Sequence, residues 1–174
     1  MTLTPIPART LMFDLDGTLI DTVPDIAAAA NRTMRALGLP ERPLADLRKW
    51  IGNGSHRLIK RTITGQWDGE PDKALFDQAL PLFFDLYAEH VWEDSEFYPG
   101  VEETVARLNE QGYSLACVTN KPLRHTELLL QVSGLARHIP LWVGGDSLPV
   151  RKPEPDQLLH AAGQLGCAPT DCVM

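Results

Sequence analysis

Four short apolar runs, separated by stretches with helical spacing, limit what this chain can fold into more than any other feature. They are Leu11–Phe13, Tyr113–Val118, Ile139–Val143 and Cys172–Met174. Runs that are apolar at nearly every position, rather than at alternate ones, read as strands buried on both faces. Between them, Val101, Val105 and Leu108 mark a helix closed by Gly112, and Leu128, Leu129 and Val132 mark another closed by Gly134. A third, after Lys152-Pro153-Glu154-Pro155, carries Leu158, Leu159, Ala162 and Leu165. Strands alternating with helices of this length indicate βαβ units and a parallel sheet, an α/β fold.

One connection breaks the rhythm. Between the first and second runs, residues 21–96 read as helical throughout, with no convincing strand. Pro24 suits a first helical turn and Asp25 suits the positive end of its dipole, for a helix running to Leu37 and stopped by Gly38. Leu44, Leu47 and Ile51 continue at helical spacing to the turn Gly52-Asn53-Gly54, after which Ser55 is a good N-cap. The next helix carries His56, Arg57, Lys60 and Arg61, of which Arg57, Lys60 and Arg61 read as a solvated face. A wide apolar stripe from Leu75 to Tyr87 follows, where Pro81 is expected to kink the helix or split it. The expected organisation is a discontinuous core, residues 1–20 and 97–174, with an inserted helical block, residues 21–96.

The chemistry concentrates where the strands end. Leu11–Phe13 gives way to Asp14-Leu15-Asp16-Gly17-Thr18, and on an extended backbone positions 14 and 16 point the same way. Two carboxylates then stand together at the carboxyl end of a buried strand, where open α/β sheets bind ligands. Like charges so placed call for compensation, and Mg²⁺, a hard cation that shares its shell with phosphate and water, is suited to Asp14 and Asp16. The second run ends in Thr119 and Asn120, and the third leads to Lys152. A hydroxyl, an amide and an ammonium are suitable partners for phosphate oxygens. Thr119 and Asn120 also read as caps for a helix starting at Pro122.

The totals exclude other classes. A net charge of −7 argues against nucleic acid and anionic membranes as partners. Three cysteines, Cys117, Cys167 and Cys172, have no metal spacing and read as reduced structural thiols of a cytoplasmic protein. Met1–Arg9 has no apolar signal-peptide core, and no run approaches membrane-spanning length.

Phe13-Asp14-Leu15-Asp16-Gly17-Thr18-Leu19 resembles the first motif of the haloacid dehalogenase superfamily, which consists mostly of phosphatases. Val118-Thr119-Asn120 resembles its second motif and Lys152-Pro153-Glu154-Pro155 its third. The resemblance covers essentially the whole chain. It implies a Rossmann-like parallel-sheet core with a small α-helical cap, and Mg²⁺-dependent hydrolysis of a small phosphorylated metabolite. Asp14 would attack phosphorus, Asp16 would serve as general acid and base, Thr119 and Asn120 would bind the phosphoryl group, and Lys152 would offset charge.

Trp50-Ile51-Gly52-Asn53-Gly54 and Gly144-Gly145-Asp146-Ser147-Leu148 resemble the bacterial phosphoglycolate phosphatase group within that family. A substrate carboxylate is expected at Gly52, Asn53 and Gly54, with Arg57 a further candidate. A sugar-phosphate phosphatase or a phosphomutase would keep the same motifs. The fourth motif, an acidic cluster after the next strand, is expected beyond Asp171-Cys172-Val173-Met174, which reads as the lead-in to that strand. The core is therefore expected to be incomplete, with little turnover, and the strand bearing Asp14 to have an open edge prone to self-association. A non-catalytic remnant that binds phosphorylated ligands is the alternative from another class.

Overall fold

The computed structural model describes residues 8–52 and 54–174; the N-terminal residues before Ala8, and Asn53, lie outside it. In chain order the elements are β1 (Thr10–Phe13), β2 (Ile20–Asp21), α1 (Val23–Ala36), α2 (Leu44–Trp50) and α3 (Ser55–Thr64). They continue as α4 (Lys73–Glu89), β3 (Glu96–Phe97), α5 (Val101–Glu110), β4 (Ser114–Val118) and α6 (Leu123–Val132). Last come β5 (Leu141–Val143), α7 (Asp156–Gln164) and β6 (Cys172–Val173). Two compact units result: the residues through Leu19 with Phe97–Met174, and Ile20–Glu96.

The first unit is α/β. Its sheet has the order β5-β4-β1-β6, and every pairing is parallel. Phe13 pairs in register with Cys117, and Val118 with Val143, so the carboxyl ends of β1, β4 and β5 lie on one edge. Met12, Ala116, Val118 and Val143 face Ala161 and Ala162 of α7, with Leu141, Leu158 and Leu165 packed around them. Burying each large aliphatic side chain in such a layer contributes about 1.5–3 kcal/mol. β6 pairs only with Thr10 and Leu11, which corrects the expectation of an open β1 edge: the first half of β1 is covered on that side. The second half borders a pocket of about 220 Å³ lined by Leu11, Met12, Phe13, Asp14, Thr18, Val173 and Met174.

The second unit holds α1 to α4, bounded by β2 and β3, two short strands that the helical reading of residues 21–96 lacked. Ala79, Phe83 and Tyr87 of α4 are buried at helical spacing. α4 is one continuous helix despite Pro81, which corrects the expected split. Pro81 is exposed and so is Asp77, whose carbonyl loses its helical donor, so water can satisfy that group while the buried stripe holds the helix together. Ser55 is the first residue of α3 rather than its cap; Gly54, at φ +86°, occupies the cap position. The solvated-face reading of α3 also needs correcting. Arg61 is only 4% exposed, with Nε donating to the Trp67 carbonyl at 2.8 Å and the guanidinium 3.7 Å from the Trp67 ring centre. Lys60 pairs with Glu70 at 2.6 Å.

Asp25 joins the two ends of this unit. It is 1% exposed, and its carboxylate accepts backbone N–H bonds from Glu93 (3.1 Å), Asp94 (2.8 Å) and Ser95 (2.9 Å). The dipole argument from sequence accounts for an acid in the first turn of α1 but not for this second task.

Candidate active site

The two acids flank Leu15, which is fully buried and fixes the turn between them. Gly17 follows at φ +78°, a left-handed conformation that residues with a Cβ rarely adopt. A Cβ there would meet nothing within 4 Å, so the backbone angle, not crowding, calls for glycine.

Each carboxylate meets its own ammonium group. Lys152 Nζ lies 3.2 Å from Asp14 Oδ1 and donates to the Val118 carbonyl at 2.8 Å. Lys121 Nζ lies 2.9 Å from Asp16 Oδ1, and the Lys121 side chain is 5% exposed against 28% for Asp16. The compensation that the sequence reading assigned to a cation is therefore supplied in part by two lysines. Asp14 Oδ1 also accepts the Leu15 N–H at 2.8 Å, whereas Asp14 Oδ2 has no hydrogen-bond partner among the described residues. Asp14 lines the pocket beside β1.

Thr119 is buried at the end of β4, and its hydroxyl accepts the Lys121 N–H at 3.2 Å. Asn120 Nδ2 donates to the Lys152 carbonyl at 2.9 Å, so its amide holds the lysine loop against β4. Asn120 Oδ1 is buried without a partner among the described residues. Neither Thr119 nor Asn120 caps α6. The oxygen that accepts the Leu123 N–H there is Asp146 Oδ1, at 2.7 Å, from the loop after β5. Gly144 and Gly145 bring that loop in close: a Cβ on Gly145 would fall 2.1 Å from the Asn120 carbonyl oxygen.

Two residues at this edge escaped the sequence reading. One is Lys121, whose signal was its place beside Thr119 and Asn120 at a strand end. The other is Gln157, fully buried in α7. Gln157 Nε2 donates to the carbonyls of Thr119 (3.2 Å) and Gly144 (2.7 Å), and its Oε1 accepts the Lys152 N–H at 2.9 Å. One amide thus ties together the three loops that carry Thr119, Gly144 and Lys152. The sequence offered only a glutamine at an otherwise apolar helical position.

In the second unit, Gly52 is at φ +103°, Gly54 precedes α3, and Arg57 is exposed. Asn53 lies outside the described residues.

The donor set suits Mg²⁺ better than a metal bound wholly by protein. No group of three or more His, Cys, Asp or Glu able to hold a metal occurs among the described residues. Two carboxylates, one with an oxygen that accepts no bond, match an ion that takes one or two carboxylates and leaves the rest of its shell to water and phosphate.

A family model of haloacid dehalogenase-like hydrolases matches residues 8–174. The chain belongs to that family. It is 44% identical over 170 residues to a phosphoglycolate phosphatase of Nitrosospira multiformis, covering 98% of this chain and 75% of that protein. It is 43% identical over 164 residues to a phosphoglycolate phosphatase of Nitrosococcus oceani, covering 94% and 73%. Among solved structures, a predicted phosphoglycolate phosphatase from Haemophilus somnus superposes with a TM-score of 0.86 at 32% identity, covering 95% of this chain and 75% of that one. With that family and those relatives, this haloacid dehalogenase-like chain is an enzyme, a hydrolase of phosphoric monoesters. No described helix is long and apolar enough to cross a membrane.

Proposed function

We propose that the chain hydrolyses a small phosphomonoester, 2-phosphoglycolate first among candidates, through an aspartyl-phosphate formed on Asp14. The observation that carries this reading is the asymmetry of Asp14. One oxygen is held by Lys152 and the Leu15 N–H, and the other accepts no bond among the described residues. An ionised carboxylate oriented through one oxygen can attack with the other and needs no base.

Asp16, oriented by Lys121, gives a proton to the leaving alcohol and takes one from the water that hydrolyses the intermediate. Thr119 offers its hydroxyl to the phosphoryl oxygens. Lys152 offsets charge as it shifts between nucleophile and phosphoryl group, the main catalytic lever in such transfers. Asn120 holds the Lys152 loop in register. Asp14 and Asp16 would hold Mg²⁺, which supplies further neutralisation of phosphoryl charge.

Substrate recognition by Gly52, Asn53, Gly54 and Arg57 belongs to the same proposal, and Arg57→Ala is expected to raise KM with kcat nearly unchanged. The test of the whole reading is Mg²⁺-dependent release of phosphate from a panel that includes 2-phosphoglycolate, sugar phosphates and an aryl phosphate, alongside trapping of the phosphoenzyme. Asp14→Asn should abolish both. Phosphate release or labelling that persists in that variant removes Asp14 as nucleophile, and a stronger preference for a sugar phosphate removes 2-phosphoglycolate as substrate.

A further inference from the structure

Away from the acids, the turn between α7 and β6 brings two thiols together. Cys167 Sγ and Cys172 Sγ are 3.4 Å apart, and both residues are half-buried. The approach is built into the local fold. Cys167 Sγ points back to the Ala162 carbonyl at 3.5 Å, and Cys172 Sγ to the Ala168 carbonyl at 3.5 Å. The Thr10 hydroxyl of β1 donates to Cys167 Sγ at 3.4 Å. Cys172 itself is paired with Thr10 in the sheet. The third thiol, Cys117, is fully buried in β4.

We propose that Cys167 and Cys172 are a dithiol–disulfide couple, oxidised by a low-molecular-weight disulfide such as glutathione disulfide, and that the bond ties the end of α7 to edge strand β6. The sulfurs need to close from 3.4 Å to the ~2.05 Å of a disulfide. The exchange balances in two steps. The Cys167 thiolate attacks one sulfur of the small disulfide, breaks its S–S bond and releases one small thiolate. Cys172 then loses its proton to solvent and attacks the Cys167 sulfur, and the second small thiolate leaves. Two protein thiols are oxidised by two electrons, and one small disulfide is reduced to two thiols.

The order of attack follows from the surroundings. Burial pushes the Cys172 thiol up to about 11, and the neighbouring Cys167 thiol, hydrogen-bonded to it, adds to the effect. A thiol so held carries little thiolate near neutral pH, which suits Cys172 to the second, resolving step. Once Cys167 is capped as a mixed disulfide, it carries no thiolate charge and donates no hydrogen bond, so that part of the restraint on Cys172 disappears. Cys117 serves as an internal control: burial first, and then the charges of Asp14 and Asp16, drive its thiol far above the ordinary range.

The experiment incubates the full chain with glutathione disulfide and follows intact mass, thiol count and peptide maps. Its readout does not depend on phosphatase activity. The expected product has lost two hydrogens and two of its three thiols, carries no glutathione, and maps to a Cys167–Cys172 bridge, with Cys117 still free after unfolding. Cys172→Ser should instead accumulate one glutathione on Cys167. Retention of all three thiols, a stable glutathione adduct on the unmodified chain, or failure of Cys172→Ser to trap glutathione on Cys167 would each overturn the proposal.

Discussion

Replacing Asp25 with alanine should destabilise the helical unit by about 3–4 kcal/mol. The figure follows from its three hydrogen bonds. A hydrogen bond to a charged group contributes roughly 1.5–3 kcal/mol, which puts an upper limit of about 4.5–9 kcal/mol on the three. The limit is not reached, because Glu93 and Asp94 are exposed and water can take up their N–H groups once the carboxylate is gone. Ser95 is 8% exposed, so its N–H is the donor left stranded. One nearly full loss and two partial ones give the expected value.

Asp25→Asn refines the argument. Asp25 Oδ2 serves Glu93 and Ser95, and Oδ1 serves Asp94. An amide oriented with its oxygen in the Oδ2 position keeps two bonds and turns an N–H toward the Asp94 N–H. Its cost should be about half that of alanine. Urea denaturation followed by circular dichroism, whose amplitude comes mainly from α1 to α4, measures both variants. A loss below about 1 kcal/mol for Asp25→Ala, or an asparagine variant worse than the alanine one, would refute the stapling argument.

Three other substitutions and one measurement of mass probe the sheet edge. Lys121→Met should lower kcat about 10–100-fold through loss of one charge-assisted bond to Asp16, with Tm moved by only a few degrees because Asp16 is part-exposed and can be hydrated; unchanged kcat would strip Lys121 of its role. Gln157→Leu leaves the Lys152 N–H and two carbonyls without their partner, and should cost about 2–4 kcal/mol in denaturation as well as activity; a neutral result would show that the three loops hold without it. Gly145→Ala forces a Cβ to within 2.1 Å of the Asn120 carbonyl oxygen and should displace the Thr119–Leu123 turn, read as reduced phosphate release with a lowered Tm; wild-type values would mean the loops part freely. For the half-covered edge of β1, light scattering should show mass rising with concentration if copies pair there, and a constant monomer mass removes that association.

The acids at 14 and 16, the hydroxyl at 119 and the ammonium at 152 could be read from the sequence because each follows an apolar run, and strand ends in a parallel sheet share an edge. Lys121 and Gln157 could not. Their roles depend on loops meeting across 105 positions for Lys121 with Asp16, and across 38 for Gln157 with Thr119, and no local pattern encodes such meetings. Asp25 hid its second task for the same reason, since its partners lie 68 to 70 positions away. The errors at Pro81 and Ser55 are of another kind. A solvent-facing proline loses one bond that water replaces, and a glycine already at positive φ took the cap position before the serine could.

The placement of β1 also dictates an order of assembly. It lies between β4 and β6, and both of these neighbours leave the ribosome on the order of a hundred residues or more after it. The helical unit is complete before either arrives, so the first strand must wait through that interval as an unpaired apolar segment. Asp14 and Asp16 stand at its tip throughout. A pair of charges at the tip of a sticky strand is the kind of gatekeeper that disfavours pairing between nascent copies.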